Sequence, residues 1–410
     1  MNGTIFKVLI GLAVAGLLAG SWGMGERLIY GLNPVAFGSY VPWGLWVSFY
    51  LFFLGLSAGA FLVTTMTYVF GMKRFEVIAR LSAFTVLICL LCEVLFITLD
   101  LGRMERIYRF LLTPSFSSLM TWMFVFFNAM LVIYAIKTFL LARGDLVRWV
   151  GDPARRGRSI YRLLALGLTS YDASAWAREK RMVRLLSILS LPVGLLFYGT
   201  NGAFFAILMN RPIWNSALTP LLFIMAAILS GGALVTFLTF LFMHDEELIH
   251  GLGRAILFVL VTFLFLQAMQ FFVGYQTGLA MTVTTLNLIA FGPYWYSFWI
   301  VHLLIGSLIP LILLTTRPHD SRAVAWACFL IVATFLSVRF NFVIPDLAIY
   351  KLDGLEETFF HPRLRTNYVP NLNEWLVSLW IVSLGLLAFL LGTRWLPVLS
   401  PEKEGSEHAI

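Results

Sequence analysis

The sequence predicts an all-α, polytopic membrane protein with about ten transmembrane helices. Of its 410 residues, 60% are hydrophobic and only 12% are charged, and the mean hydropathy is +0.86. Apolar runs long enough to cross a bilayer as a helix recur along the whole chain. These values lie far from those of soluble globular domains, so the composition excludes that class.

The apolar runs predict the helices one by one. The first run contains only Lys7 near its front, and no small-residue cleavage site follows it, so we expect a retained helix rather than a signal peptide. A long polar segment, 142–184, interrupts the runs and carries many arginines and lysines. The predicted spans are 5–22, 44–70, 79–100, 116–141, 184–209, 217–243, 254–276, 293–315, 323–340 and 375–396.

An internal repeat predicts how these helices are grouped. LSAGAFLVT from Leu56 matches LSGGALVTF from Leu229, and the same offset carries Trp122 onto Trp295. Four helices separate the copies, so the copies run in the same direction. This predicts two parallel four-helix bundles related by a pseudo-two-fold axis along the membrane normal, plus two peripheral helices. The alternative is chance similarity between two small-residue packing stretches.

The repeat divides the chain into four predicted parts. A peripheral helix with an outer loop comes first, and the first bundle follows with its basic loop, 142–184. The second bundle comes next, and an outer loop, the last helix and a tail end the chain. These parts cover 1–43, 44–209, 210–340 and 341–410.

The basic residues predict the orientation. Lysines and arginines between the spans lie mostly on the side of the N-terminus, and basic loops remain cytoplasmic. Most of this excess comes from 142–184, and long loops follow the rule less closely. We therefore expect both termini in the cytoplasm. Because these loops account for the net charge of +8, nucleic acid is discounted as a partner.

Two carboxylates in the third span are the leading candidates for chemistry. Ionisable groups inside a bilayer cost several kcal/mol and need a partner or a function. Glu93 and Asp100 are seven residues apart, so on a helix they share a face and lie about 10 Å apart. Asp100 at the outer end and Glu93 two turns deeper suit proton transfer between the outer surface and a buried acceptor. The alternatives are a structural hydrogen bond for Glu93 and a surface ion-pair cluster for Asp100.

Further polar side chains are expected near this pair. Tyr50, Asn128 and Asn201 would lie deep enough to contact a bound headgroup. Tryptophans such as Trp122 are more typical of interface belts than of ligand contacts. The second bundle is poorer in acids, and His302 is its candidate proton relay, with a packed structural histidine as the alternative. This asymmetry indicates that the first bundle is the active one.

The histidines and cysteines argue against bound metal cofactors. A membrane haem with two axial imidazoles needs paired histidines deep in facing helices, and only His302 lies deep in a predicted span. Cys89 and Cys92 form one C-x-x-C motif without a second pair, so packing is favoured over a zinc or iron–sulfur site. We expect no haem and no metal in this chain.

Two stretches of the first bundle resemble a known family. VPWGLWVSFYLFFLGLSAGAFLVTTMTYVFG from Val41 and RLSAFTVLICLLCEVLFITLDLGRMERIYRFLLTPSFSSLMTWM from Arg80 are similar to the NrfD-like family, the integral-membrane subunits of polysulfide reductases. The length resembles the ten-helix branch, which includes membrane subunits of hydrogenases, sulfite-reduction complexes, alternative complex III and a menaquinone reductase complex. The resemblance covers nearly the whole chain, and it is most specific in the first bundle.

The resemblance implies a haem-free subunit of a prokaryotic inner membrane that binds menaquinone, in preference to ubiquinone, near the outer face of one bundle. Electrons would pass between the quinone and a periplasmic iron–sulfur subunit, with cytochrome c or molybdopterin-type subunits as further partners. Glu93, Asp100 and Arg103 match the family's acid and D-L-G-R stretch, and Tyr50 and Trp122 flank them. Some members contact the headgroup through a histidine that the first bundle of this chain lacks.

The resulting hypothesis is a quinone that enters between helices while the two carboxylates exchange protons with water. The predicted headgroup ligands are Tyr50, Arg103, Trp122, Asn128 and Asn201. One alternative is a secondary transporter, because parallel repeats and intramembrane acids also occur there, although the apolar runs here are mostly continuous. The other is a structural membrane anchor without a site of its own.

Overall fold

The computed structural model describes residues 3–151, 158–168, 173–350, 354–358, 361 and 364–399. Every regular element within them is a helix, and ten helices are long and apolar enough to cross a membrane. The predicted all-α polytopic fold is therefore confirmed. The ten helices are α1 Gly3–Tyr30, α2 Leu45–Tyr68, α3 Glu76–Asp100, α4 Leu119–Gly151, α5 Ala173–Ala206, α6 Leu218–Phe242, α7 Glu246–Gln276, α8 Ser297–Thr316, α9 Ser321–Leu347 and α10 Leu372–Trp395.

Several helices are longer than their apolar runs. α4 continues to Gly151 and α5 begins at Ala173, so much of the predicted basic loop, 142–184, is helical. Two pieces of that loop, 152–157 and 169–172, lie outside the described residues. Hydropathy detects only the part of a helix inside the hydrocarbon, whereas arginine, lysine and leucine sustain a helix beyond it.

The helices define two membrane faces. We term the face at which α1 begins and α10 ends the N-side, and the opposite face the far side. Because consecutive spans alternate in direction, α3 ends and α2 begins at the far side. α1 and α10 pack against each other, and α10 also contacts α3.

α2 lies between the two groups of helices. It packs against α3 and α5 on one side and against α6 and α9 on the other. The two repeated stretches meet here, because a side chain on Gly59 would clash with the backbone of Gly231, and one on Gly55 would meet the hydroxyl of Ser230. Small residues thus allow α2 and α6 to approach closely. The pseudo-two-fold relation between the bundles stays a prediction, as do the four parts of the chain.

A network at the far side joins segments that are distant in the sequence. Glu374, in the first turn of α10, accepts a hydrogen bond from the Ala36 amide at 2.7 Å and another from the Tyr368 hydroxyl. The Tyr368 hydroxyl also accepts a hydrogen bond from the Leu45 amide at 2.7 Å. The backbone carbonyl of Tyr368 accepts one from the Tyr294 hydroxyl at 3.0 Å. Burial and the neighbouring Glu374 carboxylate raise the pKa of Tyr368, so this hydroxyl stays protonated and acts as a donor.

Candidate functional site

Glu93 is fully buried in the middle of the first bundle. Its Oε1 accepts a hydrogen bond from the Ser57 hydroxyl at 3.0 Å, and its Oε2 has no hydrogen-bond partner among the described residues. The Ser57 oxygen lies only 2.9 Å from the Leu54 carbonyl, so one hydroxyl proton is shared between two acceptors. Tyr198 donates to the Ser57 oxygen at 3.2 Å. A buried carboxyl with this little support is unusual, because an unsatisfied polar group in a membrane interior costs free energy.

Tyr50 and Asn201, both predicted headgroup ligands, are brought together. The Tyr50 hydroxyl donates to Asn201 Oδ1 at 2.6 Å, and Asn201 Nδ2 donates to the Phe197 carbonyl at 2.8 Å. The exposed fraction of Asn201 is 0% and that of Tyr50 is 8%. The pair links α2 to α5 and keeps the tyrosine oxygen at a fixed position with acceptor capacity to spare.

An apolar cavity of about 140 Å³ lies between α2, α3, α4 and α5 at the far side. Tyr50 is its innermost contact on α2, because α2 runs inward from Trp43. Val94, the residue after Glu93, is its innermost contact on α3. Its lining residues are Trp43, Val47, Tyr50, Val94, Ile97, Leu101, Ile107, Phe110, Met120, Met123, Phe124, Phe127, Phe204 and Phe205. The cavity therefore has aromatic and aliphatic walls and ends at a buried hydrogen-bonding group.

Three other predicted ligands do not line this cavity. The indole of Trp122 is 39% exposed and donates to the Phe116 carbonyl at 2.9 Å. Asn128 donates to the Phe124 carbonyl of its own helix at 2.7 Å. Arg103 is exposed on the loop that follows α3. The roles assigned to these residues stay predictions.

The surroundings of Asp100 differ from the surface cluster considered above. It is half-buried at the end of α3, within electrostatic reach of Arg27 of α1. The Arg27 guanidinium is 1% exposed and donates to the Leu99 and Leu101 carbonyls, both at 2.7 Å. A count of charges along the sequence treats Arg27 as a loop cation, but it belongs to α1 and closes the end of α3. Nothing in its local sequence distinguishes it from a topology marker.

His302 lies in α8, where Ser297–Leu308 forms a π-helix. Its side chain is 2% exposed and packs against Phe263 and Phe298. Neither ring nitrogen has a hydrogen-bond partner within the part of the chain that the structure describes. The proton-relay role of His302 stays a prediction.

More polar groups continue from Glu93 toward the N-side, and sequence reasoning did not connect them. Thr64 and Tyr134 share a hydrogen bond of 2.6 Å. Lys137 is 0% exposed, and its Nζ lies 5.0 Å from the ring centroids of Tyr134 and Tyr68 without a hydrogen-bond partner among the described residues. Tyr50, Ser57 and Thr64 recur every seven residues on α2, which is the one signal in the sequence for this arrangement.

A cavity of about 620 Å³ opens at the N-side between the ends of α2 to α5. Tyr68 lines it, so one aromatic ring separates Lys137 from this cavity. Two ion pairs connect the helices around this cavity. Arg80 of α3 pairs with Asp145 of α4 at 2.6 Å, and Arg143 of α4, which does not line the cavity, pairs with Glu179 of α5 at 2.7 Å. Its charged lining residues are Lys73, Glu76, Arg80, Asp145, Arg148, Glu179, Lys180, Arg181 and Arg184. The cavity thus brings a polar, mainly basic environment close to the buried groups.

The fold and the site define an integral membrane protein with an apolar cavity that ends in buried hydrogen-bonding groups. A family model described as polysulphide reductase, NrfD, matches residues 35–350. The chain belongs to this family.

Three relatives match over most of their length. A selenate reductase subunit of Mesobacillus selenatarsenatis is 30% identical over 408 residues, which cover 97% of this chain and 95% of that protein. The Hdr-like menaquinol oxidoreductase integral membrane subunit of Archaeoglobus fulgidus is 26% identical, with 92% and 89% covered. A putative dimethyl sulfoxide reductase membrane subunit of Halobacterium salinarum is also 26% identical, with 97% and 92% covered.

Proposed function

We propose that this chain is the quinone-binding membrane subunit of a multi-subunit respiratory reductase. The names of the relatives support this proposal, because all three are subunits of reductases or of a menaquinol oxidoreductase. The observation that carries it is the apolar far-side cavity that ends at Tyr50, hydrogen-bonded to Asn201, next to the buried Glu93. Menaquinone is the proposed quinone.

The residues present fit a quinone. The aromatic and aliphatic walls suit a hydrocarbon ring and its isoprenoid tail, and the Tyr50 oxygen can accept a hydrogen bond from a hydroxyl of the reduced ring. A bound quinone would supply two-electron, two-proton redox chemistry, which the side chains of this cavity lack. The ring would enter laterally between helices, and Asn201 would hold the Tyr50 hydroxyl in place. Trp122 and Arg103 are proposed to contact the ligand only at the mouth of the cavity, and Asn128 is proposed to contact it at the inner end of the cavity wall formed by α4.

Glu93 is the proposed proton donor and acceptor for the bound ligand. Asp100 would exchange its protons with far-side water. The polar groups beyond Ser57 suggest a second route, in which Tyr134 and Lys137 connect Glu93 to the N-side cavity. Gaps between these groups require water molecules.

The far side is the proposed docking face for an iron–sulfur partner. The loop that follows α3 presents three exposed arginines, and its Leu101, Ile107 and Phe110 line the cavity. These arginines are Arg103, Arg106 and Arg109. A partner bound there would bring its redox centre close to the ring. The basic residues on the N-side support a cytoplasmic N-side and a periplasmic far side, and both termini are proposed to be cytoplasmic. Cytochrome c or molybdopterin-type subunits are proposed as further partners.

Binding of a short-tailed menaquinone to the chain, purified with its partner subunits, tests the proposal. Met123→Trp fills the cavity, and Val125→Trp, on the exposed face of the same helix, is the matched control. We expect Met123→Trp to weaken binding at least tenfold, about the effect of one lost ligand contact, and Val125→Trp to leave it unchanged. Equal menaquinone affinity of the natural protein, Met123→Trp and Val125→Trp would refute this site.

The same preparation distinguishes the alternatives. If the chain were a secondary transporter, the isolated chain reconstituted in vesicles would exchange a solute across the membrane. In the preparation with partner subunits, the Met123→Trp substitution would then leave quinone-linked electron transfer unchanged. A structural anchor would retain its partner subunits but bind no quinone. Copurification of an iron–sulfur subunit together with saturable quinone binding is the outcome that our proposal requires.

A further inference from the structure

A groove between α7 and α8 opens on the surface of the second bundle. Its volume is about 490 Å³, and its walls include Phe271 of α7 and the exposed Trp299 of α8. A smaller chamber of about 60 Å³ lies farther inside. Gln267, Phe271 and Phe298 line both spaces, so the groove and the chamber are neighbours that share these three side chains.

The chamber is lined by two buried polar side chains of α9 that have unsatisfied hydrogen-bonding atoms within the described structure. Arg339 is 2% exposed and Asn341 is 7% exposed, and both line the chamber. The Nε and Nη2 atoms of Arg339, and both polar atoms of the Asn341 amide, have no hydrogen-bond partner among the described residues. Each such group costs free energy unless something outside the chain satisfies it.

Aromatic rings provide only part of what Arg339 needs. Its guanidinium lies 4.9 Å from the ring centroid of Phe223 and 5.5 Å from that of Phe335. These contacts favour the cation but provide no acceptor for the hydrogens on Nε and Nη2. None of the ion pairs found in the described parts of the chain includes Arg339. A ligand that belongs here must therefore carry hydrogen-bond acceptors.

The depth of Arg339 in the membrane limits which ligands can reach it. α9 has 27 residues and is therefore about 40 Å long, whereas the hydrocarbon layer is about 30 Å thick. Arg339 lies eight residues before the far-side end of α9, Leu347, so it is about 12 Å from that end. With α9 centred on the layer, about 5 Å of helix projects at each end, and the Arg339 backbone lies about 7 Å inside the hydrocarbon. Phospholipid phosphates remain outside this layer. An uncharged ring with carbonyl or hydroxyl oxygens can enter it.

We propose that the second bundle contains a second binding site for a lipid of the quinone class. Its tail would lie in the groove between α7 and α8, and its ring would lie beside Phe271 and Phe298. One ring oxygen accepts hydrogen bonds from Arg339, and Asn341 bonds the ring from the same helix. The outer groove and the two unsatisfied side chains support the same occupant independently.

This second site is separate from the far-side cavity of the first bundle. A side chain on Gly55 would meet the Arg339 guanidinium, so Arg339 lies against the face of α2 that faces α6 and α9. Tyr50 and Ser57 contact α5 and α3 from the other face of α2. The second site does not depend on the proposed function of the first.

Photolabelling tests the proposal on the full chain, purified with its partner subunits. The probe is an azido-naphthoquinone with a short isoprenoid tail, in nanodiscs of uncharged phosphatidylcholine, and labelled peptides are mapped by mass spectrometry. Arg339→Met removes the donors. Ala268→Trp fills the groove from an exposed position on its rim, and Ala255→Trp on an exposed part of α7 outside the groove is the matched control.

We expect label on α7, α8 or α9 in addition to label around the first cavity. Arg339→Met and Ala268→Trp should each reduce the α7–α9 label about tenfold and leave the first-cavity label unchanged, whereas Ala255→Trp should leave both labels unchanged. Label confined to the first cavity would overturn the second site alone, whereas label in neither would overturn both. Loss of the α7–α9 label in phosphatidylglycerol nanodiscs would show an anionic-lipid site and also overturn the proposal.

Discussion

At the residue scale, Glu93 is distinguished by how few hydrogen-bond donors surround its buried carboxyl group. It has one hydrogen bond, from a serine whose proton is shared with a backbone carbonyl, and one carboxyl oxygen without a partner among the described residues. A structural carboxyl in a membrane protein is normally satisfied by several donors, because the bilayer provides none. The environment of Glu93 therefore favours a group that gains and loses a proton.

Replacing Glu93 with glutamine tests this role. The amide can still accept from Ser57 but cannot transfer a proton. We expect Glu93→Gln to assemble normally, bind quinone, and lower quinone-linked electron transfer by about 100-fold or more. Steady-state turnover of the purified complex measures the effect, with Glu105→Gln at the exposed far side as the control. Full turnover in the assembled Glu93→Gln complex would exclude Glu93 from proton transfer.

Lys137 is the second residue whose burial requires an explanation. Its Nζ contacts only the faces of two tyrosine rings and has no hydrogen-bond partner in the described structure. We expect Lys137→Met, which keeps the length of the side chain, to leave quinone affinity unchanged and to slow turnover about tenfold. The quinone Kd and the turnover rate are measured for this variant and compared with those of the natural protein. Unchanged turnover would show that protons do not come from the N-side.

At the scale of one element, α2 connects the two bundles by presenting a different chemistry on each face. Tyr50, Ser57 and Thr64 contact polar groups of α3, α4 and α5. The opposite face carries Gly55 and Gly59, against which α6 packs. One helix therefore positions the candidate site and fixes the contact between the bundles.

The glycine face predicts a specific sensitivity. Gly59→Leu would push α2 away from the Gly231 backbone, whereas Gly199→Leu in α5 adds a side chain where nothing lies within 4 Å. We expect the first variant to lose about 3 kcal/mol or more of stability, or not to accumulate, and the second to behave like the natural protein. Thermal unfolding in detergent compares them. Equal midpoints would contradict the close contact of α2 and α6.

At the scale of the whole molecule, the two ends of the first bundle differ in character. The far-side cavity is small and apolar, and the N-side cavity is larger and lined by charges of both signs with a basic excess. This difference fits the proposed function, in which a lipid-soluble ligand binds near the far side and a second proton route reaches Glu93 from the N-side. It also agrees with a cytoplasmic N-side.

Reporter fusions test the orientation. We expect green fluorescent protein joined after the last helix, at residue 399, to be fluorescent, and alkaline phosphatase at the same point to be inactive. Alkaline phosphatase inserted in the far-side loop between α5 and α6 should be active. The reverse pattern would place the proposed partner on the cytoplasmic face.

The sequence by itself determined the helical membrane fold, because the bilayer imposes the same requirement on every span: about 20 apolar residues with internal backbone hydrogen bonds. It also singled out Glu93, since a carboxyl in an apolar run is anomalous without any structure. Tyr50 and Asn201 were selected for their depth alone.

The tertiary structure decided which of these groups meet. The Tyr50–Asn201 bond, the Ser57–Glu93 bond and the contact of Arg27 with the end of α3 join residues 36 to 151 positions apart. Such contacts depend on how each helix is rotated and which helix it packs against, and hydropathy carries no information about either. For the same reason, no role for Arg339 followed from the sequence. Only the packed structure shows it buried in the lining of a chamber in the second bundle, with Nε and Nη2 donors that the described part of the chain does not satisfy.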